Sequence, residues 1–432
     1  MKTAPLSNAI RMAIGASVFA GVAMPAFAQD ATDEENVQVE EVYVTGSRIQ
    51  RSTNTESQEI ISITAEDMKL SGDISVADAL RSSTLNSIGS FRESSGSSAQ
   101  SNATINLRGA GASRSLVLVN GRRVVGSPSL GGGGTVNLNM IPFSAVDRIE
   151  IIADGASAVY GSDAIVGVVN VILKKGYDGM QFNARYGDRS RDDGVEKSFS
   201  FLTGAEGDRG SVTFGLEYDS RDPIFDADRD FTKARYSDLD GDGFITGYAE
   251  TAGVSFYGYT LLNPNYDSSL AFDPNNQDSW YVTPGNNCVD DGSFVGPMKS
   301  DLVFGPDTGF YCGYAYANVS ANRASAERVN AWVSSTFELN DSVELFADMI
   351  IAQNESFGRY APPAAPGAAL ASDPRNPYGQ AVNGYFRWVD IGTRDNVVND
   401  TMTDVNIGIR GDINDSLSYE SYYTYSDYRS AS

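Results

Sequence analysis

The sequence predicts an α/β domain followed by an antiparallel transmembrane β-barrel, on three observations. The chain opens with an export signal, yet no later stretch is long and apolar enough for a spanning helix. Residues 57–175 have the mixed texture of a compact α/β unit. From residue 178 the pattern becomes amphipathic strands of period two, joined by alternately short and long connections.

Residues 1–28 read as a signal peptide. Lys2 and Arg11 are its positive residues, Met12 to Ala23 its apolar stretch, and Ala26-Phe27-Ala28 a small-x-small cleavage site before Gln29. The apolar run is shorter than the about 20 residues a spanning helix needs. Mean hydropathy is -0.25, which a barrel tolerates because only alternate strand residues face lipid. The net charge of -24 and pI near 4.3 exclude a nucleic-acid partner, whose phosphates would be repelled. With no histidine, the chain offers no imidazole for metal or haem ligation or for a Ser-His-Asp triad. The two cysteines, Cys288 and Cys312, are expected to form one disulfide in an oxidising compartment; two free thiols are the other reading.

Residues 29–56 are acidic and polar, as a flexible arm should be. Within them, Glu40, Glu41, Val42, Tyr43, Val44, Thr45 and Gly46 form a short β-prone run (40–46). In the α/β unit, residues 60–64 read as a strand, Ala65-Glu66-Asp67 opens a helix, and Ser75 caps another. Residues 116–120, 148–152 and 166–173 read as strands, with Asn120-Gly121 as a hairpin turn. Seven amphipathic strands follow, near 180–187, 197–204, 211–218, 329–339, 343–351, 404–411 and 416–428. Each is about the 9–11 residues that cross a bilayer when tilted. Their short connections fall at 204–210, 340–341 and 414–415, and the long ones at 222–325 and 360–400. A soluble β-sandwich would not explain a loop of that length between neighbouring strands.

In order, the 40–46 run, Ile105-Asn106-Leu107-Arg108-Gly109, Leu116-Val117-Leu118-Val119-Asn120-Gly121-Arg122, Arg148-Ile149-Glu150 and Tyr160-Gly161 resemble a TonB-dependent outer-membrane receptor. The resemblance implies an energy-coupling (TonB) box, an α/β plug domain (57–175) and a barrel (178–432). The periplasmic domain of TonB would grasp residues 40–45 by strand addition, which uses backbone N–H and C=O groups. Arg108-Gly109 and Arg148-x-Glu150 match plug positions whose charges, by resemblance, pair across to the barrel wall; a salt-bridged core edge is the alternative for Arg148. After Glu150 the sequence reads Ala153-Asp154-Gly155-Ala156 where the commonest family form has Arg-Gly-Pro. Seven strands are few beside the 22-stranded plugged transporters, so the chain is expected to be an N-terminal portion.

Two serine- and glycine-rich plug loops are candidate floors of a ligand site: 89–103, with Phe91 and Arg92, and 126–135, with Gly131 and Gly132. In the first long loop, Asp238-x-Asp240-x-Asp242-Gly243 has calcium-loop spacing, although its twelfth position is Ala249; an acidic turn is the alternative. The loop's aromatics, from Tyr248 to Tyr316, suit either loop packing or stacking on a planar ligand, and Tyr419, Tyr423 and Tyr425 suit an aromatic girdle. The expectation is a non-enzymatic outer-membrane receptor for a scarce small molecule. By resemblance a ferric siderophore leads, with oligosaccharide or cobalamin as alternatives. The rival is a secreted calcium-dependent carbohydrate-binding or hydrolytic β-protein, which leaves the box and plug series unexplained.

Overall fold

The computed structural model describes residues 60–432, apart from 87, 96–98, 132–133, 154, 192, 237–250, 256–257, 272, 274, 287, 289–292, 299–308 and 415–416. The signal, the run from Glu40 to Thr45, Gly132, and Asp238, Asp240 and Asp242 therefore lie outside the described residues.

The N-terminal unit begins with β1 (Ile60–Thr64), α1 (Ala65–Ser71) and α2 (Val76–Arg81). Thr64 starts α1 with a capping box: its hydroxyl accepts from the Asp67 amide at 3.1 Å, and the Asp67 carboxylate accepts from the Thr64 amide at 3.0 Å. Ser75 caps α2 by accepting from the Asp78 amide. Next come β2 (Ser115–Val119), β3 (Arg122–Arg123), β4 (Val146–Ile152), α3 (Ser157–Tyr160) and β5 (Gly167–Leu173). The five strands form one mixed sheet in the order β1-β4-β5-β2-β3, with β2 and β5 parallel. Asn120 (φ 48°) and Gly121 (φ 76°) make the β2–β3 turn, both in the left-handed region that the Asn-Gly pair favours.

The wall is a seven-stranded antiparallel sheet of β6 (Gly179–Gly187), β7 (Glu196–Gly207), β8 (Gly210–Arg221), β17 (Ala326–Asn340), β18 (Val343–Tyr360), β21 (Arg394–Asn414) and β22 (Leu417–Ala431), with shorter strands in the loops between them. All seven expected strands are present, several of them longer than expected. At about 3.4 Å per residue, β18 and β21 exceed what a bilayer needs. Strand β21 therefore begins at Arg394, and the second long connection is 361–393 rather than 360–400. The short connections all lie at one end of the sheet and the two long ones at the other.

Pairing register sorts the side chains into rows. On the outer face, Met180, Thr203, Phe214, Val333, Met349, Val405 and Tyr425 line up across all seven strands. The row Ala205, Val212, Ser335, Ala347, Ile407 and Tyr423 lies beside it, with Ile407 and Tyr423 well exposed. An apolar row on an exposed face suits lipid and not water. On the inner face, Gly204, Thr213, Ser334, Asp348, Asn406 and Thr424 form a polar row. The row beside it, Leu202, Gly215, Trp332, Ile350 and Asp404, is more apolar.

The long connections are folded. The first holds β9 (Ile224–Phe225), β10 (Arg235–Tyr236), β11 (Thr251–Ala252), β12 (Tyr259–Leu262), β13 (Val282–Pro284), β14 (Ser293–Met298), β15 (Gly309–Tyr314) and β16 (Ala321–Arg323). The second holds β19 (Ala364–Ala369) and β20 (Val382–Arg387). Strands from both loops join in a sheet of order β14-β15-β13-β12-β20-β19.

Candidate functional site

The N-terminal unit sits against the inner face of the wall, and this contact is where its sequence features converge. Its core of Met68, Val76, Leu80, Ile149, Ile151, Val169 and Val171 is continuous with Leu202, Trp332, Ile350, Ala352 and Met402 of the wall. Strand glycines make room for two of the approaches. A side chain at Gly215 would strike the Trp332 indole, meeting Cε2 at 2.6 Å, and one at Gly358 would strike the Gln100 amide.

Toward the long-loop end, segment 89–103 is bound to the wall. Glu93 is buried, and its Oε1 accepts from Asn139 Nδ2 at 3.0 Å. Arg221 Nη2 lies 3.6 Å and Arg328 Nη2 3.7 Å from the same oxygen, while Arg328 Nε reaches Asp219 at 3.0 Å. Burial opposes ionisation of Glu93, but Arg221, Arg328 and Arg323 outweigh it and hold its pKa down to about 2. Gln100 Nε2 donates to the Ser356 and Asn396 carbonyls, both at 2.9 Å. The Ser95 hydroxyl donates to the Arg359 carbonyl at 2.8 Å, and Ser101 donates to Asp400.

Toward the short-turn end, the Asn120–Gly121 hairpin presents Arg122. Its guanidinium lies between the Phe346 ring (4.3 Å) and the Tyr422 ring (4.7 Å). Nη2 donates to Glu420 at 3.0 Å, and Nη1 is 3.8 Å from Asp348. Asn120 Nδ2 also donates to Asp348, at 3.2 Å. Between the two ends, Glu217 of β8 accepts from the Ser144 amide at 2.6 Å. Each cation–π contact contributes about 0.5–2 kcal/mol, more when desolvated.

The sequence-predicted residues sit differently from expectation. Arg148 pairs with Glu150 at 2.9 Å and Asp147 at 3.0 Å, both on its own strand, which is the salt-bridged core-edge alternative and not a pairing across to the wall. Arg108 (φ 54°) and Gly109 (φ 71°) make a left-handed turn, with Arg108 exposed. Tyr160 accepts through its carbonyl from Arg123 Nη2 at 2.6 Å, and Gly161 (φ 88°) ends α3; both stay within the N-terminal unit. Phe91 is half-buried, and Arg92 and Gly131 are exposed. Cys288 and Cys312 form the expected disulfide. Of the loop aromatics, Tyr259 and Tyr311 are buried in loop cores, which is packing rather than an open stacking surface.

Glu217, Arg221 and Arg328 escaped the sequence reading, and Arg122 entered it only as part of a motif. Arg221 and Arg328 are charged residues at inner-face positions of amphipathic strands, and that parity is a signal sequence could have used. Among the described residues no group of three or more His, Cys, Asp or Glu side chains is placed to hold a metal ion.

A folded α/β unit held by separable polar contacts against the inner face of a lipid-suited strand wall defines a plugged membrane β-sheet protein. The chain matches the family model of the TonB-dependent Receptor Plug Domain over residues 52–168. It is similar to solved structures of the ferric enterobactin receptor PfeA (a mutant, from Pseudomonas aeruginosa; 13% identity, 86% of this chain and 48% of that one, TM-score 0.41). It is also similar to the siderophore receptor PiuA from Acinetobacter baumannii (12%, 86% and 46%, TM-score 0.42). A third is the ferric-catecholate import receptor Fiu from E. coli K12 (11%, 87% and 49%, TM-score 0.38). The chain spans about half the length of these structures.

Proposed function

We propose that this chain serves a TonB-dependent outer-membrane receptor that takes up a scarce small molecule by energy-coupled transport. Residues 40–45 are the strand offered to the periplasmic domain of TonB. The observation that carries this reading is the plug–wall contact. Wall residues Arg221, Arg328, Asp348 and Glu420 face plug residues Glu93, Asn120 and Arg122, so separable polar pairs help hold the plug against the inner face of the wall. Such contacts are lost one by one when a domain is pulled, whereas a covalent or all-apolar closure would not be. A ferric siderophore is the proposed cargo, on the family resemblance; oligosaccharide and cobalamin are the alternatives. The secreted β-protein rival is disfavoured by the apolar outer rows.

The test is deletion of residues 40–45 from the full-length receptor in its own outer membrane. Cargo binding to cells should persist while accumulation falls to the level of a strain lacking the receptor. Undiminished accumulation would remove TonB coupling from the reading. Loss of binding as well would mean that the deletion had disturbed the plug and not the coupling strand.

A further inference from the structure

The two long loops are separated in sequence by the whole β17–β18 hairpin, yet they share one sheet and one core. Strand β12 of the first pairs with β20 of the second, with Tyr259 opposite Phe386, Thr260 opposite Tyr385 and Leu261 opposite Gly384. Tyr259, Leu261, Cys288 and Cys312 from the first loop pack with Ala369, Val382 and Phe386 from the second. Polar contacts cross the same boundary. Tyr259 donates to Asp373 at 2.6 Å, Tyr378 donates to Thr283 at 2.8 Å, and the Asn286 amide donates to the Arg375 carbonyl at 2.8 Å. The Arg375 guanidinium lies 4.3 Å from the Tyr259 ring centre.

We propose that the two extracellular loops are one cooperative module, in which the Cys288–Cys312 disulfide of the first loop keeps the second loop folded. Strands of six residues, such as β19 and β20, are not independently stable; a two-stranded hairpin in water is marginal at best. Their order must come from β12 and from the apolar core that the disulfide lines. A disulfide limits the unfolded states open to its own loop. Here that restriction is passed on, because the core it closes includes Ala369, Val382 and Phe386. By thermodynamic reciprocity, a disturbance in the second loop must loosen the first to the same extent.

Hydrogen exchange on the full-length receptor in detergent micelles tests this, and it needs neither cargo nor TonB, so its outcome is separate from the transport reading. In Cys288→Ser/Cys312→Ser, amides of 382–387 and 364–369 should exchange at least tenfold faster, while those of 343–355 in the wall keep the parent rates. Faster exchange confined to 259–314, with 382–387 unchanged, overturns the proposal. The reciprocal variant is Gly384→Val, whose side chain would collide with the Thr260 carbonyl oxygen and approach Leu261 Cδ2. It should speed exchange at 309–314 with the disulfide intact. If the double serine variant loses its wall as well, Gly384→Val decides: faster exchange at 309–314 supports coupling, and parent rates there overturn it.

Discussion

Glu93 carries a negative charge into a site that excludes water, and only the arginines around it make that tolerable. Its pKa is lowered from the ordinary 4.5 to about 2, so its contribution to stability is complete above 4.5 and is lost as pH falls toward 2. Breaking a buried ion pair by removing one partner costs about 3–5 kcal/mol, and the lower end applies here because Asp219 remains beside Arg328. Glu93→Gln should therefore lower the urea-unfolding free energy by about 3 kcal/mol at pH 7. At pH 3 the difference between parent and variant should have shrunk by half or more. A difference that stays the same from pH 7 to pH 3 would show that Glu93 is not held ionised by Arg221 and Arg328.

At the scale of elements, the wall was the most legible part of the chain. Lipid on one side and the plug on the other impose a two-residue period, and that period is written directly into sequence. Strand ends were less legible, because β18 and β21 run past the bilayer on pairing alone. The loop sheet was hidden. Its strands are short, and its central pairing joins Tyr259 to Phe386, more than a hundred residues along the chain. The plug's contact with the wall was half hidden. The Asn120–Gly121 turn could be read, but not that it would deliver Arg122 between two wall aromatics. Arg148 stayed open between two readings because charge at a family-matched position says nothing of which face it takes. Gly215 shows what a strand glycine can mean, for it lies opposite Trp332 in the register. Gly215→Ala should destabilise by about 1–3 kcal/mol through overpacking. In a Trp332→Leu background the same change should cost close to nothing, and a double-mutant cycle of urea midpoints measures the difference. An equal cost in both backgrounds would mean that the glycine serves strand geometry and not the indole.

For the whole molecule, the decisive feature is that plug and wall do not own separate cores. A soluble domain packed beside a finished barrel would bury its own apolar residues and meet the wall through polar groups alone. Here Leu202, Trp332, Ile350 and Met402 of the wall are buried in the same cluster as Leu80, Ile149 and Val171 of the plug. Each such aliphatic side chain is stabilised by about 1.5–3 kcal/mol when taken out of water, so removing the plug strips several kcal/mol from the wall as well. It also leaves Arg221, Arg328 and Asp400 without their plug partners. The intact receptor should therefore unfold in urea as one transition in which plug and wall signals coincide. A variant of the full-length receptor lacking residues 60–173 should unfold at a clearly lower urea concentration. The proposed transport then has a built-in constraint: the plug can give up its polar contacts one at a time, but leaving the wall entirely would expose the wall's apolar row to water. If the plug-less variant keeps the parent midpoint, that row is indifferent to water, and the constraint on how far the plug can move disappears with it.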